Sequence, residues 1–164
     1  MGCFFRKRRR AKKSERITIG KSINYFPWIA TIDKFQHWVY ENPNHTREER
    51  LQNWQRILTE FTPASLDVTG LEAYRNYSWQ RQLHLFEVPF YYIEYGIAQL
   101  GAIGLWQQFQ KDKEQALHNY TNALSLGGTR TLPQLFEAAG LQFDLSPAHI
   151  KGLMEFVKEE MEKV

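Results

Sequence analysis

From Pro27 onward the apolar residues of this chain keep helical spacing. Trp28, Ile32, Phe35, Trp38 and Val39 recur every three or four positions, which lines one side of a first helix with an apolar stripe. No stretch alternates apolar and polar residues over a useful length, and no segment repeats. The chain must therefore bury helix faces against other helices. The first helix is predicted to end near Asn42-Pro43. Thr46-x-x-Glu49 then has the form of a capping box, in which the hydroxyl and the carboxylate each satisfy a free amide. It should open a second helix through Leu51, Trp54, Ile57, Leu58 and Phe61, stopped at Thr62-Pro63.

Thr69-x-x-Glu72 repeats the box and predicts a helix through Tyr74, running beyond Trp79 toward Phe86. Pro89 should begin or kink a long segment reaching about Gln110, because proline fits the first turn of a helix and disrupts its interior. Further helices are predicted over about 113–126, closed by Gly127-Gly128, then after Thr131-Leu132-Pro133 and after Ser146-Pro147. The fold class is all-α, a bundle of about six or seven helices. The long segment carries Gly96, Gly101 and Gly104, each costing about 1 kcal/mol of helix propensity relative to alanine. Close approach of neighbouring side chains is the expected compensation.

Hydrophobic residues make up 43% and aromatic residues 15% of 164 positions, enough for a core of ordinary size. No apolar run approaches the roughly 18 residues of a membrane span, and the basic start is not followed by a signal-peptide core. The single cysteine, Cys3, cannot form an internal disulfide, which suits a cytoplasmic location. Residues 1–22 hold nine Lys or Arg against one acid, Glu15; the rest hold twelve basic and seventeen acidic side chains. The net charge of +3 is thus a property of the first segment. We expect residues 1–22 to form a basic, irregular and non-native tail ahead of a helical domain spanning 23–164. Arg6 to Arg10 has the chemistry of a nucleic-acid or anionic-membrane contact, but neither partner is expected if unrelated codons precede the domain.

The most concentrated polar-aromatic feature is His84-Leu-Phe-Glu-Val-Pro89-Phe90-Tyr91-Tyr92-Ile-Glu-Tyr95-Gly96. Tyr91 and Tyr95 are four apart and would share a helix face, with Tyr92 beside them. A break at Pro89 would leave His84 and Tyr91 on opposite sides of a bend. Buried tyrosine hydroxyls often do no more than satisfy backbone carbonyls, so a packing role competes with a functional one. Together with Phe35-Gln36-His37-Trp38-Val39-Tyr40-Glu41-Asn42-Pro43 and Tyr77-Ser78-Trp79-Gln80-Arg81-Gln82, this stretch resembles the C-terminal part of the zinc metallo-oligopeptidases of the oligoendopeptidase F and thimet oligopeptidase type. The resemblance runs from about Ile23 to about Val157, and is closest to the oligoendopeptidase F branch.

That resemblance implies the C-terminal part of a zincin-like oligopeptidase that hydrolyses short peptides with zinc. It further implies that His84, Tyr91 and Tyr95 donate hydrogen bonds to the carbonyl oxygen of a peptide as it becomes an oxyanion, with Tyr92 as a substrate-binding residue. These groups should face one concave surface. The family's His-Glu-x-x-His segment has no counterpart here, since the histidines stand at 37, 45, 84, 118 and 149 and no two are four apart. We therefore expect no metal site and no zinc in this chain alone. The expected product is a fragment, inactive alone, whose partners are short peptides, the missing zinc-bearing half or a second copy of itself. A non-catalytic peptide-binding or subunit-association module is the alternative.

Other chemistry finds little support. Ser78 lacks the glycine frame and base partner of a nucleophile. Glu155, Glu159, Glu160 and Glu162 alternate with Lys158 and Lys163, which marks a solvated helix face. His37 is expected to pack between helices, and His45, His118 and His149 to lie at the surface.

Overall fold

A computed structural model describes the backbone of residues 2–163; the side chains of residues 2–19, 21 and 22 lie outside the described residues. The expectation of a basic, irregular and non-native tail over 1–22, and Cys3 with it, falls largely on residues whose side chains lie outside that description. Among the described residues the elements are helical throughout: α1 Gly2–Glu41, α2 Arg47–Glu60, α3 Glu72–Asn76, a single 3-10 turn Ser78–Arg81, α4 His84–Glu87, α5 Ile93–Lys111, α6 Lys113–Ser125, α7 Leu132–Ala138 and α8 Pro147–Glu162. The chain divides into two compact units, one of residues 22–96 and one of residues 97–164 with 1–21.

In the first unit the core is aromatic and β-branched. Ile29, Ile32 and Phe35 of α1 meet Trp54, Ile57 and Leu58 of α2, with Tyr92 completing the cluster. Phe35 stands edge-on to Trp54 at 4.9 Å between ring centres, and Trp28 meets the same indole at 6.0 Å. The Trp54 indole N–H donates to the Arg75 carbonyl at 2.8 Å, which ties α2 to the end of α3. Pro27 lies inside α1 and not at its start. An interior proline removes one ladder bond at a cost of about 3 kcal/mol, while full burial of Ile32 and Phe35 contributes about 1.5–3 kcal/mol each. Packing outweighs the breaker, so the helix is longer than spacing alone predicts.

The capping box at Thr46 forms as expected: the Glu49 amide donates to Thr46 Oγ1 at 3.1 Å and the Thr46 amide to Glu49 Oε2 at 2.7 Å. These bonds to the anion hold the Glu49 carboxyl below its usual range. The second predicted box does not form around Thr69. Asp67 Oδ1 takes the Thr69 amide, Gly70 turns left-handed at φ 79°, and the Glu72 carboxylate reaches the Gly70 amide instead. One long predicted helix becomes α3, the 3-10 turn and α4.

The second unit packs through small residues. A Cβ at Gly101 would lie 3.0 Å from the Phe136 ring, and one at Gly104 would lie 2.8 Å from Leu141. Phe136 and Leu141 therefore press on the α5 backbone itself, which is the compensation expected for those glycines. Trp106 meets Phe156 of α8 edge-on at 4.8 Å. Asp112 caps α6 and Ser146 caps α8 through side-chain oxygens, and Gly127 ends α6 with φ 53°. No helix among the described residues is long and apolar enough to cross a membrane.

Candidate functional site

The turn after α4 brings the sequence's polar aromatics together by a route that local spacing does not predict. Val88-Pro89-Phe90 reverses the chain, and α5 begins only at Ile93, so Tyr91 and Tyr92 precede the helix. Phe90 adopts φ 59°, a left-handed conformation that costs a residue with a Cβ about 1–3 kcal/mol. Gln36 of α1 holds it there: buried Oε1 accepts the Phe90 amide at 2.9 Å. The Phe90 ring also rests against His37 at 4.8 Å and Tyr40 at 4.9 Å. His37 thus packs on a turn instead of between helices, with Asp33 at 3.6 Å.

The reversal sets the His84 ring parallel to Tyr91 at 6.0 Å between centres, so the bend unites the two residues that it was expected to part. Tyr92 and Tyr95 stand edge-on to the same imidazole at 5.2 and 5.6 Å. Tyr95 also meets Tyr91 at 5.7 Å. His84 Nε2 and Tyr95 Oη are 3.1 Å apart, a hydrogen bond whose direction depends on the imidazole tautomer. His84 Nδ1 is buried with no protein partner among the described residues. An unpaired buried nitrogen costs about 1–3 kcal/mol, so its presence beside the tyrosines calls for an explanation.

The tyrosines divide by burial. Tyr91 is 47% and Tyr95 43% exposed, whereas Tyr92 is only 9% exposed. The Tyr91 hydroxyl engages no protein group among the described residues, and that of Tyr95 engages only His84. Burial pushes the pKa of the Tyr92 hydroxyl up; the nearby Trp28 side chain opposes this, and nearby Tyr95 and Tyr25 reinforce it. Tyr92 therefore belongs to the core.

Gln36 is the participant that sequence reasoning missed. Gln36 follows Ile32 by four residues and so falls on the apolar stripe of the first helix. A polar side chain on a buried stripe needs an internal partner, and that was the available signal. His45 is half-buried against Trp38 at 5.0 Å and is not the plain surface residue expected. His118 is exposed, and His149 half-buried.

Among the described residues no group of three or more His, Cys, Asp or Glu side chains is placed to hold a metal ion. The donors present here do not fit a zinc ion, which takes three or four converging ligands.

Residues 10–155 match the profile of the family described as Peptidase family M3. No curated protein sequence matches the chain. Among solved structures, a 3.1 Å X-ray structure assigned as oligoendopeptidase F, from crystals grown by microfluidic seeding, is 32% identical with a TM-score of 0.81, covering 94% of this chain and 27% of that one. PZ peptidase A, solved with an inhibitor, is 27% identical with a TM-score of 0.85, covering 96% of this chain and 28% of its own. A protein assigned as oligoendopeptidase F from Bacillus anthracis str. Ames shares the fold, with a TM-score of 0.71 at 24% identity over 94% of this chain and 24% of that one. The chain spans about a quarter of the length of the solved proteins it matches.

Proposed function

The chain belongs to peptidase family M3, and from that premise we propose that His84, Tyr91 and Tyr95 form the peptide-carbonyl side of an oligopeptidase site. The observation that carries this reading is the exposed Tyr91 ring stacked beside the His84 imidazole, with neither the Tyr91 hydroxyl nor the buried His84 Nδ1 bonded to any group among the described residues. A hydroxyl held in place by stacked rings loses little freedom when it donates to an acceptor. Donors fixed before the reaction are what stabilise a developing oxyanion. Tyr95, tethered to His84, adds a second donor or orients the imidazole, and Tyr92 supports the cluster from the core.

The groups that would activate water are not assembled among the described residues. The zinc and general base of the family would come from outside residues 1–164, and these residues alone would bind short peptides without turning them over. The single cysteine supports placing it in the cytoplasm.

Metal analysis of the purified chain should find less than stoichiometric zinc, and a quenched-peptide assay should find no turnover. Adding the zinc-bearing portion of an M3 relative should restore cleavage. Tyr91→Phe and His84→Ala should then each lower turnover by roughly 10²–10³-fold, as loss of an oxyanion donor does, while the melting temperature moves little. Restored turnover that survives both substitutions would reject the assignment.

A second reading rests on exposed apolar side chains in the first unit, among them Leu71, Tyr74, Tyr77, Leu83 and Phe86. These favour a helical module that associates with another subunit. Sedimentation of the purified chain separates the readings: a stable complex without cleavage supports association alone.

A further inference from the structure

A groove of about 390 Å³ opens in the first unit between the start of α2 and the segment from the end of α3 through the 3-10 turn. Arg47, Arg50, Asn76, Tyr77, Trp79 and Gln80 line it, and so does one acid, Glu48. The capping box already occupies the amides of Thr46 and Glu49, so those two offer no donors to the groove. The side chains are what matter.

Arg50 is half-buried, and its guanidinium lies 5.9 Å from the centre of the Trp79 ring. Its Nε donates to His45 Nε2 at 2.7 Å. His45 Nδ1 is bonded to the Asn42 carbonyl, which cannot donate, so the imidazole carries its proton on Nδ1 and receives the arginine on Nε2. The acceptor for Arg50 is thus a neutral ring. Among the described residues neither Arg50 nor Arg47 has a carboxylate within salt-bridge distance, and the Nη groups of both have no protein acceptor. Asn76 spends its carbonyl oxygen on Gln55 at 2.7 Å, leaving its amide N–H groups free.

A partly desolvated guanidinium without an acid is an incomplete pair, and the groove around it offers donors with few acceptors. Two arginines against Glu48 leave one net positive charge, which suits a monoanion better than a phosphate dianion. We propose that this groove binds a carboxylate on a small ligand, with Arg50 and Arg47 holding the charge, the Asn76 amide donating to it, and Trp79 and Tyr77 covering its flank. A short peptide offers such a group at its C-terminus or on an acidic side chain. The assignment rests on the groove alone and is separable from the reading of His84 and Tyr91.

The test titrates the full chain with three blocked tripeptides: one with a free C-terminal carboxylate, its C-terminal amide, and an amide carrying a glutamate side chain. The readout is the amide and indole NMR shifts of Asn76, Tyr77, Trp79 and Gln80. We expect saturable shifts with the free acid, none with the plain amide, and a response to the glutamate peptide only if side-chain carboxylates are accepted. Arg50→Gln and Arg47→Gln should weaken binding by roughly tenfold or more, as loss of a charged hydrogen bond does, and Arg47→Gln, at an exposed position, tests the site if the Arg50 variant unfolds. Equal shifts from acid and plain amide, tighter binding of inorganic phosphate, or binding unchanged in Arg47→Gln would each overturn the proposal. Because His84→Ala leaves the groove intact, peptide binding in that variant distinguishes failure here from failure of the catalytic reading.

Discussion

The two units solve the same packing problem with opposite means. Residues 22–96 fill their interior with large rings, Trp54 and Phe35 buried outright, and leave tyrosine tips at the surface. Residues 97–164 let Phe136 and Leu141 press on bare backbone at Gly101 and Gly104. Large interlocking side chains can support a strained turn and a hydrogen-bonded cluster on their outer face. Backbone contact gives close approach but presents few side chains for chemistry, and the perturbed tyrosine, the left-handed Phe90 and the unpaired imidazole nitrogen all belong to the first unit.

That contrast is most sharply broken at Trp54. Trp54→Ala removes a fully buried ring and one of the two side-chain donors to the Arg75 carbonyl, so denaturant unfolding should show a loss of about 3–5 kcal/mol. A loss near 1 kcal/mol would mean that the aromatic core is not what holds the first unit. Next comes the glycine contact: Gly101→Val drives atoms into the Phe136 ring and should cost about 1–3 kcal/mol by the same assay. If the variant is as stable as the parent, the ring yields, and close approach is not what offsets the glycine.

Gly152 of α8 supplies the control, since a Cβ there meets nothing within 4 Å. Gly152→Ala should stabilise the protein by up to about 1 kcal/mol through helix propensity alone, visible as a small rise in melting temperature.

The smallest effect concerns Asp33. Burial raises its pKa, with His37 pulling the other way. The folded state then holds the proton more tightly than the unfolded one, so this group's contribution is full below the ordinary carboxylate range and is lost as pH rises through the raised value. Asp33→Asn should be slightly more stable than the parent at neutral pH and lose that advantage in acid. Glu49, with its pKa lowered by the capping bonds, has the opposite sign: its contribution is present at neutral pH and fades as pH falls through the lowered value. Melting curves of Asp33→Asn and Glu49→Gln against pH would check both, and parallel curves would refute the pair.

What the sequence disclosed was what neighbours decide. The Thr46 box, the glycine stop at 127 and the serine cap at 146 are local contests between a side chain and nearby amides, and they are legible as such. Pro27 misled because residues up to eight positions away, Ile32 and Phe35, outweigh it through tertiary burial. Thr69 misled because Asp67, two residues back, takes its amide first. At the candidate site the residue types were readable, but their meeting was not. Spacing put Tyr91 on the helix of Tyr95, whereas the partner that fixes the turn, Gln36, lies 54 positions upstream.

That same bond has a kinetic consequence. Joining residues 36 and 90 closes a long loop, which incurs its entropic cost before the contact returns anything. The turn at Phe90 should therefore take shape late, after α1 and α2 have met. Its amide proton, shielded by a buried glutamine, should exchange with deuterium more slowly than other amides in short turns. The imidazole and the tyrosines would converge only once the first unit has closed, so the rate at which the cluster becomes competent is the rate at which distant chain segments find one another.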